Sequence, residues 1–117
     1  MEYTKLVFLK EFLIQEIKDH DKRVWHKENT RESMQYELGL TNGYEEIFRK
    51  LEEIISERKT EKESLQNLAE EIENFFNTQK VRDLVDPVVN RTYIDYNRGR
   101  TKAFEVFWKL LKGKIDN

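Results

Sequence analysis

Apolar residues along this chain return at steps of three and four, over stretches far too long for strands. Leu6, Leu9, Leu13, Ile17, His20 and Val24 trace one stripe and predict a first helix over 4–27. Asn29 with Glu32 reads as a capping box that starts a second helix, which carries Tyr36, Leu40, Tyr44, Ile47, Leu51 and Ile54 over 31–58. Thr60 with Glu63 offers another box, and Leu65, Leu68, Ile72, Phe75 and Gln79 predict a third helix over 61–80. Val81, Leu84 and Val85 can extend it by a turn before Pro87 stops it. Asp86 as N-cap with Pro87 behind it starts a fourth helix over 87–114, its stripe being Val89, Tyr93, Tyr96, Ala103, Phe107 and Leu110. No stretch alternates long enough to be a strand. The expected fold is all-α: a single domain, 1–117, built as a four-helix bundle.

Two stretches repeat. YELGLTNGYEEIFRKL (36–51) lies over YNRGRTKAFEVFWKLL (96–111) without a gap, with five identities at an offset of 60. Tyr36, Gly39, Thr41, Glu45 and Leu51 match Tyr96, Gly99, Thr101, Glu105 and Leu111. The first and third helices match much less well. Two tandem hairpins, 1–60 and 61–117, related by a near two-fold would account for this, and so would chance likeness between amphipathic helices. Gly39 and Gly99 each cost their helix about 0.5–1 kcal/mol against Ala. With Gly43 and Ala103 one turn on, they form small-xxx-small patterns that let the second and fourth helices approach closely.

Composition sharpens the picture. Hydrophobic and charged residues each make up 38%, with one Pro and four Gly, as long helices require. The absence of cysteine removes disulfides and thiolate metal sites. LVFL is too short for a leader or a membrane span, so a soluble, cytoplasmic chain is expected. The net charge of −2 conceals segments of opposite sign, since 61–90 carries −4 and 91–117 carries +4. Opposite charges on neighbouring helices favour side-by-side packing.

Little of this points to catalysis. His20 and His26 lie on different faces of one helix and cannot share a metal ion; His20 reads as a core-edge histidine. Glu70, Glu73, Asp83 and Asp86 imitate the paired acids of helical pyrophosphohydrolases. Their spacing is too short, however, and Pro87 breaks the helix that should carry the second pair. No phosphate loop, nucleophile triad or zinc-protease motif is present, so a protein without enzyme activity, cofactor or metal is expected.

Two surfaces are more informative. On the first helix Phe8 and Phe12 fall among charged residues, while Val7, Ile14 and Trp25 fall on the other flank of the Leu stripe. That surplus marks either a helix covered on several sides or a contact with another molecule, a homodimer or a partner site centred on Phe8 and Phe12. On the fourth helix Arg91, Arg98, Lys102, Lys109 and Lys112 share a sector of about 80°, a basic band about 30 Å long. Such a band suits a solvated face, an acidic protein partner or, less well, nucleic acid. Arg100 points instead to the core side, where it should stack on Tyr96 or pair with a carboxylate of a facing helix.

A small, motif-free, Lys/Glu/Ile/Asn-rich helical chain with a Y-x-x-G-x-x-x-[GA] helix is similar to accessory proteins of phages and mobile elements of Gram-positive bacteria. The resemblance implies a role rather than a residue set: binding and modulating a protein partner, as phage-encoded inhibitors of host or defence proteins do. A virion or assembly component, or a helical nucleic-acid binder, is the alternative.

Overall fold

The computed structural model describes residues 3–85 and 93–116, with side chains through residue 79 in the first span and throughout the second. Four α-helices account for most of them: α1 (Thr4–Val24), α2 (Arg31–Ser56), α3 (Glu61–Val85) and α4 (Ile94–Asp116). There is no strand among the described residues.

The helix ends follow local hydrogen-bond chemistry. α1 stops a turn before the expected Lys27 because Asn29 folds back and donates from its side-chain amide to the carbonyl oxygens of Arg23 and Val24. Asn29 therefore closes α1, and Thr30 is the cap of α2, its Oγ1 accepting from the Ser33 N–H at 3.1 Å. Thr60 caps α3 as its spacing to Glu63 suggests, accepting from the Glu63 N–H at 3.1 Å. α2 ends at Ser56, short of Arg58, which takes the left-handed conformation with φ 55°. α3 takes the optional extra turn, through Val85. The proposed start of α4 at Asp86 and Pro87 and its Val89 lie outside the described residues; among those described, α4 begins at Ile94. Tyr93, expected in the core, is 56% exposed, and Leu111 rather than Leu110 is fully buried.

Ion pairs and close contacts give the directions. His20 meets Glu37 near one end of the α1–α2 pair and Lys10 meets Glu52 near the other, so those helices are antiparallel. The Lys5 N–H bonds Glu61, which brings the starts of α1 and α3 together. Gly39 faces Tyr96 and Arg100, while Gly43 faces Arg100 and Ala103, so α2 and α4 run parallel. The result is an up-down-up-down bundle whose two down-running helices touch directly.

The α2–α4 seam is backbone on backbone. A Cβ at Gly39 would collide with the Tyr96 carbonyl oxygen and lie 2.9 Å from the Arg100 nitrogen. A Cβ at Gly99 would collide with the Tyr36 carbonyl oxygen and lie 3.0 Å from the Leu40 nitrogen. Only glycine permits this approach. α3 is held at side-chain distance instead: Phe75 stacks on Phe104 with centroids 3.6 Å apart, and Phe76 meets the Trp108 ring edge-on at 6.3 Å. Leu6, Leu9 and Leu13 of α1, Tyr44, Ile47 and Leu51 of α2, Leu68 and Ile72 of α3, and Phe104, Phe107 and Leu111 of α4 complete one continuous core. Burial, with the charge of Glu16 adding to it, pushes the Tyr44 phenol well above the ordinary tyrosine range.

Candidate functional site

The two faces of α1 part company. Phe12 turns inward, half-buried against the core with its ring edge-on to Tyr44 at 6.1 Å. It is a core-edge residue, nearer the bundle than its charged neighbours in sequence suggested. Phe8 stays 44% exposed, with the Lys114 ammonium 4.0 Å from its ring centroid. The opposite flank is the barer one: Val7 is 51%, Ile14 37% and Trp25 76% exposed. Phe8 is thus the more exposed of the two rings, and Val7, Ile14 and Trp25 stand exposed on the opposite flank with the exposed Lys18 among them.

On α4 the basic residues project as the helical spacing requires. Arg98, Lys102, Lys109 and Lys112 are exposed; Arg91 lies outside the described residues. Arg98 makes a loose pair with Asp95 at 3.7 Å and sits 6.0 Å from the Tyr36 ring. Lys112 lies over Trp108 at 5.6 Å. Neither Lys102 nor Lys109 has a carboxylate within ion-pair distance among the described residues. Arg98 and Lys102 also border an open groove of about 500 Å³ shared with Tyr36, Asn97, Thr101 and Glu105. Glu105 in that lining and Asp95 beside it interrupt the positive field.

Arg100 does what its position on the core side demanded. Its Nε and Nη2 donate to the two carboxylate oxygens of Glu46 at 2.6 and 2.8 Å, and its guanidinium lies 4.7 Å from the Phe75 ring centroid. The rings its guanidinium lies over are Phe75 and Phe104 rather than the expected Tyr96, because α3 and the core side of α4 bring those two rings against it. The hydrogen bonds to Glu46 hold the Arg100 pKa above its ordinary value, against the opposing effect of burial. This pair locks α4 to α2 and leaves no free charge for a ligand.

His20 is buried on the α1 stripe, stacked on Tyr44 with centroids 5.8 Å apart. Its Nδ1 lies 2.6 Å from Glu37 Oε2 and its Nε2 3.2 Å from Glu16 Oε2. Both ring nitrogens face carboxylates, so neither is free for a metal ion or a substrate. The Glu16/His20 spacing of one turn is readable in the sequence; the approach of Glu37 from α2 is not. Glu70 and Glu73 are solvent-exposed, and the Asp83 side chain and Asp86 lie outside the described residues. Among the described residues no group of three His, Cys, Asp or Glu side chains could hold a metal ion, and no helix is long and apolar enough to cross a membrane.

Fold and surfaces together define a small all-helical bundle with a closed core, exposed apolar residues on the flank of α1 and exposed basic residues along α4. Comparison with known protein families, with curated proteins and with solved structures gave no match for this chain.

Proposed function

We propose that this protein acts stoichiometrically in the cytoplasm, binding an acidic protein surface through α4 and modulating the protein that carries it. The observation behind this reading is that, among the described residues, no carboxylate pairs with Lys102 or Lys109, beside the loosely paired Arg98 on the face of α4 turned from the core. Cations that a chain does not neutralise itself attract acidic surfaces and speed encounter with them. A role without catalysis accords with a histidine whose two nitrogens are already engaged and with a core that closes over its other polar groups. The likeness to accessory proteins of phages and mobile elements gives the role a setting, inhibition of a host or defence protein.

Nucleic acid is the second reading, favoured by the same cations. It is weakened by the acidic residues set among them and by the burial of the rings they lie over, since Trp108 and Tyr36 are both half-buried.

Co-purification of the tagged protein from its native cell tests the proposal, with Arg98, Lys102 and Lys109 changed to Gln in the comparison variant. A single stoichiometric protein, captured more slowly and with less salt dependence by the variant, is the expected result. Salt-labile nucleic acid, with a log K versus log salt slope flattened by about three units in the variant, would establish the second reading. Binding identical at every salt concentration would remove α4 from the mechanism.

We propose further that the chain is two tandem hairpins related by duplication. Reciprocity supports this: Gly39 meets Tyr96 as Gly99 meets Tyr36, at the offset of 60 found in the sequence. The Arg100–Glu46 pair has no counterpart, because Leu40 and Val106 occupy the matching positions. Equal stability costs for Gly39→Ala and Gly99→Ala would support the equivalence; costs differing several-fold would end it.

A further inference from the structure

We infer that His20 works as a proton-dependent clasp between α1 and α2, carrying a hydrogen on each ring nitrogen in the folded chain and giving one up as the pH rises. This goes beyond the reading of α4 and rests on different residues. A neutral imidazole has one N–H and one bare nitrogen lone pair. Here Glu37 Oε2 lies 2.6 Å from Nδ1 and Glu16 Oε2 lies 3.2 Å from Nε2, so both nitrogens meet a carboxylate oxygen. With a single ring hydrogen, one of these contacts would set lone pair against lone pair in a site largely closed to water. With two, both become charge-assisted hydrogen bonds. The second proton belongs to the ring and not to a carboxyl group, because imidazole is ordinarily the stronger base by about two pH units.

The surroundings leave this proton to His20. Facing the ring are Glu16 from α1 and, from α2, Glu37 and the stacked Tyr44, whose phenol burial holds above the ordinary tyrosine range and so keeps neutral. Among the described residues no lysine or arginine pairs with either glutamate, and no charged group of α3 or α4 bonds to any of the three. The cluster is thus one cation between two anions. Loss of the proton leaves two carboxylates competing for one neutral ring. Glu16, whose side chain is 29% exposed against 17% for Glu37, is the one that turns to water. The α1–α2 contact then keeps a hydrogen bond to Glu37 without its ion pair. Linkage gives the sign: the contribution to stability is complete below about pH 6.5, where the unfolded chain's histidine is protonated too, and is lost as rising pH deprotonates the folded ring.

Two measurements on the intact protein test this. Nitrogen NMR of ring-labelled histidine, in a His26→Gln background so that His20 alone is seen, should show hydrogens on both ring nitrogens at about pH 7.5, one unit above the ordinary histidine value. A ring bearing one hydrogen there overturns the inference. Urea unfolding across the same range should give a folding equilibrium constant that falls by up to about tenfold per pH unit above about pH 6.5, relative to the variants Glu37→Gln and His20→Gln. Glu37→Gln keeps the shape of the site and satisfies a neutral ring, so it should flatten the slope; His20→Gln should remove the ring's share altogether. Equal slopes in the wild type and the variants overturn the inference as well. If one variant fails to fold, the other and the ring signal decide.

Discussion

Alanine at Gly39 should destabilise this protein, and the same change at Gly113 should stabilise it. In an exposed helix interior Gly→Ala gains about 0.8–1 kcal/mol. Gly113 has nothing within 4 Å of an added Cβ, so Gly113→Ala should show most of that gain. At Gly39 the methyl would run into the Tyr96 carbonyl and stand 2.9 Å from the Arg100 nitrogen. Both obstacles are backbone, so α4 must move as a body and neighbouring packing must follow. Overpacking costs about 1–3 kcal/mol and sometimes more, and with a rigid obstacle the upper end applies. Less the propensity gain, the net loss should be about 2 kcal/mol, or about 8 °C in midpoint for a chain of this size. Urea titration followed by circular dichroism measures it as a lower midpoint at unchanged slope. The double variant Gly39→Ala/Gly99→Ala should cost less than the two singles together, because one separation of the helices relieves both clashes. A Gly39→Ala protein as stable as wild type would refute the reasoning, for it would mean that the seam is not tight.

Two further changes probe other joints. Arg58→Gly should raise stability by about 0.5–1 kcal/mol, since Arg58 holds φ 55°, a conformation that costs a side-chain-bearing residue about 1–2 kcal/mol; a lower urea midpoint would contradict this. Glu46→Ala should lower stability by about 1–2 kcal/mol by stranding Arg100 among Phe75 and Phe104. Adding Arg100→Met to that variant should recover part of the loss; no recovery would mean that the pair does not act as a unit.

Most of the architecture was legible because it is written in periodicity. A stripe such as Leu6–Leu9–Leu13 admits only one buried face, and Gly39 and Gly99 announced a close approach that the structure shows as mutual backbone contact. Helix ends were harder to read, because two adjacent capping residues compete. Asn29 and Thr30 both have cap chemistry, and the choice falls to whichever carbonyls Asn29 can reach behind it. The inward turn of Phe12 depends on Tyr44 lying across from it, a fact of helix crossing that no single-helix projection contains. The same holds for Glu37 beside His20 and for Glu46 as the carboxylate that Arg100 selects. The solvent-facing cations of α4 were easy by contrast, since an outward residue needs no partner to define its direction.

The unequal spacing of the helices carries a dynamic consequence. α2 and α4 are joined through their main chains, and α1 is tied to α2 by short polar contacts, whereas α3 is held mostly through rings and aliphatic tips, with Glu61 accepting from the start of α1 and an exposed Lys50–Glu71 pair beside them. To detach α3 from the bundle breaks no backbone seam; it withdraws Phe75 and Phe76 from Phe104 and Trp108 and unstacks Arg100. The other three helices keep their closest joints while it is away. Amide exchange should therefore divide the molecule, with α3 amides exchanging through a partial opening at lower free energy and the α2–α4 amides exchanging only when the whole chain unfolds. The bundle is then a three-helix frame with a hinged fourth wall, and the aromatic faces of Phe104 and Trp108 are the surface that the wall uncovers when it swings away.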